Sequence, residues 1–355
     1  MKILLSSYVF PPSMGGIEVV SAMLAEEFHR LGHEVKVVTQ TKEAGGTFDF
    51  DVIRRPGRIE LMKLVKWCDV FFQNNISLTM VWPWMFLRRP LVVTHQVWLD
   101  QHKRERWIGA WMKRWVLERA SNIAISSAVA KTLKRCDQIV GNPYRDHLFK
   151  QPPVEERPDD IVFVGRLVSD KGCEDLIRSV IQLKHKGLRP RVTVIGTGPE
   201  ARRLGELATT GGVADQVNFA GGKSSEELSV ILPRHKIMVV PSRWLEPFGI
   251  VAVEGVASGC VVVGTTGGGL PEAIGPCGPL YPNGDVEGLT GHLEKLLSDD
   301  QLMGHYRMQS ESHLRRFRLP EVARSYLRIF EKLLNGGNGA TPSASGPREP
   351  KQATI

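Results

Sequence analysis

The sequence predicts an α/β fold of two Rossmann-like domains facing each other across a cleft. Two observations carry this. Apolar, strand-like runs alternate with helix-periodic stretches in two successive series, each opening on a strand. Between the series lies "PPVEERPDD", a proline-containing acidic stretch with the composition of a linker. The length of 355 residues agrees, being too long for one ordinary core and suited to about two.

In the first series "KILLSS" is a buried strand and residues 17–31 a helix, stopped by Gly32 at its C-terminal cap. "EVKVVTQ" is the next strand, and further strands fall at 70–72, 91–94 and 123–126 with helical stretches between them. The second series opens on "DIVFVG", followed by a helix over 173–186 that ends at Gly187. "RVTVIG", "QVNFAG", a helix opening near 224–227, "KIMVVP", a helix after Gly249 and "VVVGTT" complete it. Residues 320–334 form a last amphipathic helix, expected to pack back on the first domain, and the Gly/Ser/Pro-rich end reads as a disordered tail. The expected units are therefore 1–150, a linker at 151–158, 159–318, a helix at 319–335 and a tail at 336–355.

Hydrophobic residues at 42% and charged residues at 24% are ordinary for a globular enzyme. The five cysteines are scattered with no Cys-x-x-Cys spacing, which signals neither a zinc site nor a disulfide framework. The opening strand breaks at Pro11-Pro12, too early for a signal peptide, and no apolar run approaches the roughly 20 residues of a membrane span. A soluble cytoplasmic protein is the expectation. Charge is uneven: residues 1–150 carry 22 Lys and Arg against 14 Asp and Glu, whereas the remainder carries 24 of each. A basic first half suits an anionic surface.

Ligands of open α/β sheets bind beyond the carboxyl ends of the strands, so each such end is a candidate. Gly15-Gly16 follow the first strand and lead into a helix, where backbone N–H groups can approach an oxyanion; a plain loop turn explains a bare Gly-Gly equally well. His95, after "LVVT", can bond a substrate hydroxyl or move a proton, or simply bond its own loop. Arg166 and Lys171 in "GRLVSDKG" can clamp a diphosphate, or stand as a solvated pair. The Gly-x-Gly of "VIGTGPE" lacks the rest of a dinucleotide fingerprint. In "SRWLEPFGIVAVEGVASG", Glu246 precedes a helix opened by Gly249 and Glu254 sits in its second turn. The N–H groups of Gly249, Ile250 and Val251 suit a phosphate and Glu254 a ribose diol, although taken alone the two glutamates read more readily as a helix-N-terminal acid and a solvent-facing one.

Taken together, "PPSMGGIE", "LGHEVKVVT", the Thr94-His95 pair, "VGRLVSDKGCEDLI", "VIGTGPE", "VNFAGG", "PSRWLEPFGIVAVEGVASG" and "GTTGGGLPEAI" resemble the retaining GT-B glycosyltransferases of family 4, the group-1 transferases. The resemblance implies a UDP- or GDP-sugar as co-substrate, no other cofactor, no metal, and transfer to a hydroxyl acceptor with retention of configuration. It implies that Arg166 and Lys171 bind the donor diphosphate, Glu254 the ribose, and Glu246 the sugar near the reacting centre with His95 beside it. Gly15-Gly16 would close on the phosphates, and Phe248 joins the donor-binding set with Gly249, Ile250 and Val251. The stretch after His95, "QVWLDQHKRERW", leaves the acceptor unread. A lipid-linked acceptor or a cell-envelope polysaccharide precursor is expected. The 102–120 segment, with Trp107, Trp111 and Trp115 interleaved with Lys and Arg, is either a core-packed helix with a charged outer face or a contact for an anionic membrane at its inner face. No nucleic-acid partner is expected. The rivals are a sugar-nucleotide epimerase of similar fold, a glycoside hydrolase using the two glutamates, and a basic membrane- or RNA-binding module.

Overall fold

The computed structural model describes residues 1–12, 15–43, 45–99, 107–151 and 157–336. The first sheet has seven parallel strands: β1 (Lys2–Ser7), β2 (Glu34–Thr39), β3 (Asp51–Arg54), β4 (Val70–Asn74), β5 (Leu91–His95), β6 (Ser121–Ala124) and β7 (Gln138–Ile139). The second has six: β8 (Asp159–Val164), β9 (Val192–Ile195), β10 (Val217–Gly221), β11 (His235–Val240), β12 (Val261–Thr265) and β13 (Leu280–Tyr281). Their orders are β3-β2-β1-β4-β5-β6-β7 and β10-β9-β8-β11-β12-β13, the same doubly wound arrangement twice. Strand order reverses between β1 and β4 and between β8 and β11. The crevice at such a reversal is where α/β sheets receive ligands.

The local chemistry explains the pattern. β4, β5 and β12 are buried at every position, as parallel strands covered by helices on both faces must be. The helices Gly16–Arg30 and Cys173–His185 both end on a glycine in the left-handed region, Gly32 at φ +85° and Gly187 at φ +85°. In each, the two following N–H groups return to the last carbonyls: Gly187 to Lys184 at 3.0 Å and Leu188 to Leu183 at 3.0 Å in the second case. The strands unforeseen from sequence are β3, β7 and β13, two to four residues long and at or beside sheet edges, too short to show a period. β6 ends two residues before the expected strand does, because Ser126 caps the Ser127–Ala130 helix instead of extending the sheet.

The last helix, Leu319–Gly336, leaves the second sheet and packs on the first. Its Tyr326 and Phe330 rings meet Phe72 at 5.2 and 5.5 Å and Phe28 at 6.5 and 5.7 Å. The Thr94 hydroxyl donates to Tyr326 Oη at 3.1 Å, satisfying a phenol that would otherwise be buried without a partner. Most of the expected linker and almost all of the expected tail (152–156 and 337–355) lie outside the described residues.

The tryptophan-rich segment is only partly as its spacing suggested. The described helix is Trp107–Leu117, and the side chain of Trp107 lies outside the described set. Trp111 is 61% exposed, but Trp115 packs edge-on to Trp84 at 6.0 Å with the Arg119 guanidinium 4.4 Å above it. Spacing puts Trp111 and Trp115 on one face, and packing against the neighbouring helix claims the second of them. Among the described residues no helix is long and apolar enough to cross a membrane.

Candidate active site

Pairing of β8 with β11 sets "GRLVSDKG" beside "PSRWLEPFG" at the second reversal point. Gly172, at φ +67°, makes the approach possible: a Cβ there would lie 1.9 Å from the Pro241 carbonyl oxygen. The Asp170 carbonyl then accepts from the amides of Arg243 at 2.9 Å and Trp244 at 3.2 Å. The Arg243 guanidinium forks onto the buried Asp175, with one bond of 3.0 Å from Nε. These contacts bring Lys171 onto Glu246.

Glu246 is largely buried and engaged on one side only. Its Oε1 accepts from Lys171 Nζ and from Ser242 Oγ, the latter at 2.7 Å. Ser242 is itself anchored, its carbonyl accepting from Thr265 Oγ1 at 3.1 Å and Asn283 Nδ2 at 2.7 Å. Two donors on one oxygen fit an ionised carboxylate. Oε2 has no hydrogen-bond partner among the described residues. Lys171 keeps two further N–H donors. Arg166 is exposed and makes no side-chain hydrogen bond or ion pair among the described residues.

The glycine run of "GTTGGGLPEAI" lies directly behind this loop. A Cβ on Gly268 (φ +71°) would sit 2.2 Å from the Glu246 carbonyl oxygen, and one on Gly269 would sit 2.3 Å from that of Pro247. Neither position admits a side chain.

The Ile250–Ala257 helix begins at Gly249, whose φ of +109° and 2.5 Å clearance to Leu270 require glycine. Its first amides, at Gly249, Ile250 and Val251, have no acceptor within the helix, and the helix dipole adds positive potential there. Across the cleft, the Ile250 side chain stands 3.7 Å from where a Gly16 Cβ would be, so the Gly15-Gly16 turn faces this helix end. The Glu18 carboxylate lies over Gly15, 2.6 Å from its notional Cβ. Glu254, one turn into the helix, is partly exposed, with no side-chain hydrogen bond among the described residues. Burial pushes its carboxyl up to about 7 against the pull of the Arg145 guanidinium.

Two expected site residues are placed differently. Phe248 is buried and stacks edge-on with Phe317 at 5.3 Å, so its ring is core and only its backbone borders the cleft. His95 is 2% exposed, with Nε2 3.0 Å from Asn122 Oδ1. Asn122 Nδ2 donates to the carbonyls of Leu117 and Ala120 at 2.7 and 3.1 Å, so its oxygen must face the ring and Nε2 carries the proton. Burial lowers the His95 pKa, the Asn122 bond opposes this, and the Lys113 charge lowers it further. His95 is thus a neutral imidazole with Nε2–H committed to the interior. Any contact with substrate is left to the lone pair of Nδ1.

Beside it lies a buried polar network that sequence reasoning missed. Gln96 and Asn142 exchange amide bonds at 3.0 and 2.7 Å, Gln96 also donates to Asn74 Oδ1 at 2.9 Å, and Asn74 donates to Ser21 Oγ at 2.7 Å. It ties the ends of β4 and β5 to the helix that starts at Gly16. Runs of Asn, Gln and Ser at strand ends are the only trace it leaves in the sequence. Among the described residues no group of three or more His, Cys, Asp or Glu is gathered as a metal would need. The Asp-x-Asp stretch of the chain, Asp49 and Asp51, lies at edge strand β3, where Asp51 pairs with Lys36 at 2.9 Å.

Residues 145–313 match the family model for glycosyl transferases group 1. The D-inositol 3-phosphate glycosyltransferase of Corynebacterium jeikeium is 35% identical over 198 residues, 52% of this chain and 46% of that protein. A GDP-mannose-dependent alpha-(1-6)-phosphatidylinositol monomannoside mannosyltransferase of Mycolicibacterium smegmatis is 32% identical over 147 residues, 39% of this chain and 38% of that protein. The chain spans less than half the length of these curated relatives. Over both domains, the structure of Anabaena HepE with UDP superposes with TM-score 0.78 at 18% identity, covering 94% of this chain and 100% of that one. A Rickettsia africae glycosyltransferase gives TM-score 0.77 at 18% identity, covering 94% and 99%. The fold is GT-B, with two parallel-sheet domains opposed across a cleft.

Proposed function

We propose that this chain is a retaining family-4 glycosyltransferase that moves a sugar from a nucleoside-diphosphate sugar to a hydroxyl acceptor. The observation that carries the reading is the meeting of Lys171 and Glu246 at the second reversal point, beside a helix N-terminus that faces Gly15-Gly16. The match of residues 145–313 to group-1 transferases supports it, and HepE has been solved with UDP-glucose.

In this reading the second domain, 159–318, holds the donor. Arg166, the free N–H groups of Lys171 and the amides of Gly249, Ile250 and Val251 meet the diphosphate as it departs. Lys171, held by Glu246, and the helix amides are fixed before the reaction, so they stabilise developing charge with little reorganisation, and the exposed Arg166 side chain joins them from solvent. Glu254 accepts from the ribose diol. Oε2 of Glu246 faces the sugar, where a negative charge favours positive charge building at the anomeric carbon. The first domain, 1–150, receives the acceptor. The cations are the protein's own, and transfer is proposed to need no metal.

A thermal-shift panel of nucleoside diphosphates and nucleotide sugars, run with EDTA, tests the donor site. The matching nucleotide at 100 times its dissociation constant should stabilise the fold by about 2.7 kcal/mol. Stabilisation only after Mg²⁺ or Mn²⁺ is restored would argue against the proposed clamp, and no shift with any nucleotide would argue against the function.

The acceptor is proposed to be lipid-linked, presented at the inner face of a membrane. Trp111 and the 73% exposed Phe86, both in the helical segments beside β4 and β5, offer apolar side chains on the basic domain. The protein should sediment with anionic vesicles at low salt and leave them at high salt. Equal partition onto neutral and anionic vesicles would refute that attachment.

A further inference from the structure

Glu246 lies in a loop with neither helix nor strand to fix it, yet three successive carbonyls of that loop are all taken. Leu245 O accepts from Trp98 Nε1 at 2.9 Å, Glu246 O from the Gly269 amide at 2.7 Å, and Pro247 O from Ser126 Oγ at 2.7 Å. Gly269 belongs to the second domain. Trp98 and Ser126 belong to the first, following the neighbouring strands β5 and β6. We infer that the first domain positions Glu246, with Trp98 and Ser126 gripping the carbonyls on either side of it, so that this carboxylate is aligned only while the two domains are together.

Both ends of the loop support this. The second domain fixes Oε1 of the side chain through Ser242 and Lys171, but among the described residues it supplies only the Gly269 bond to the backbone at 245–247. Ser126 is fully buried and held in place, because it also caps the Ser127–Ala130 helix by accepting from Val129 N at 3.2 Å. The next amide, Ser127 N–H, donates to Glu272 Oε1 at 2.6 Å, a further tie between the domains beside the same loop. A site assembled from two domains becomes competent only when both are in place, which couples closure to chemistry. Trp98 and Ser126 are positioning residues: they touch the loop and act on the donor through Glu246.

The inference rests on the proposal that Glu246 meets the donor sugar, and the test separates the two. Trp98→Phe keeps an aromatic ring and removes the N–H together with the rest of the pyrrole half of the indole. Hydrogen exchange on the intact chain without substrate should show faster exchange in the peptide covering 244–249 than in wild type. Unchanged exchange there overturns the inference whatever Glu246 does. Turnover of UDP-glucose and GDP-mannose with water as acceptor, measured as released nucleoside diphosphate, should fall by about 10- to 100-fold in Trp98→Phe, up to the cost of misplacing a reacting group by about 1 Å. In a Glu246→Gln background the same change should cost almost nothing more. Full additivity would mean that Trp98 acts elsewhere, and would also overturn the inference. If Glu246→Gln alone leaves turnover intact, the assignment of Glu246 fails instead, and exchange still decides whether the first domain holds the loop.

Discussion

Glu246→Gln is expected to lower kcat by about 10²–10³-fold, the usual cost of removing one preorganised electrostatic group, while donor affinity moves by less than about tenfold. Glutamine has the same shape and still offers an oxygen to Ser242 Oγ and Lys171 Nζ, so the loop should keep its place. What disappears is the negative charge proposed to stand beside the anomeric carbon. Charge that matters only as the transition state forms changes kcat and leaves ground-state binding nearly alone. Lys171, no longer ion-paired, becomes a freer partner for phosphate, which opposes any loss of donor affinity. Steady-state rates and calorimetric donor titrations on the variant decide the matter. A glycoside hydrolase would lose kcat equally on replacing Glu246 or Glu254, because its acid and nucleophile act in one chemical sequence. Equal kcat losses in both, with unchanged donor affinity, would overturn the division of labour.

Glu254→Gln is expected to move binding and stability in opposite directions. In the free protein burial holds this carboxyl at about 7, well above its ordinary 4.5. The folded state therefore keeps its proton longer than the unfolded chain, and stability falls as pH rises from about 4.5 towards 7, then levels off. Removing the ionisable group should stabilise the unliganded protein at pH 8, by on the order of 3 kcal/mol, and by much less at pH 5. Donor binding should weaken by about 1.5–3 kcal/mol at pH 8, since ribose hydroxyls donate best to a charged acceptor, with kcat nearly unchanged. Wild-type donor affinity should fall as pH drops below about 7, and the variant's should not. Urea unfolding at the two pH values and donor titrations across them are the checks. A variant less stable than wild type at pH 8 would mean that Glu254 makes a stabilising contact in the free protein.

The fold was legible because central parallel strands are written as short apolar runs, "IVFV" and "VVVG" among them, and because helix ends carry glycines such as Gly32 and Gly187. Edge strands such as β7 and β13 have two residues each and carry no period to read. At the site, residue types and spacing singled out Lys171 and Glu246, which the fold brings into contact. Spacing could not reveal that they pair with each other, since that depends on Gly172 letting one loop approach another. Phe248 sits in a polar-looking turn, yet its ring is claimed by Phe317, a residue 69 positions later. His95 was read as a cleft residue from its place at a strand end, but the Asn122 side chain on the adjacent strand draws its Nε2 inward. Trp98 and Ser126 left no signal, because a donor to a distant loop carbonyl looks like any other Trp or Ser. The triple glycine at 267–269 entered only as part of the family resemblance, and its close approach to the Glu246 and Pro247 carbonyls came from the fold alone.

The most direct measurement is a calorimetric titration of UDP and GDP into wild type and Lys171→Ala. The account predicts that wild type binds one of the two, and that the variant binds it about 10- to 150-fold more weakly, the worth of a charge-assisted bond. The loss should fall towards the upper end, because truncating Lys171 also leaves the Glu246 carboxylate without its counter-ion beside an incoming phosphate. If neither nucleotide binds wild type, or if Lys171→Ala binds it as tightly as wild type does, the diphosphate is not held at this reversal point and the central claim is wrong.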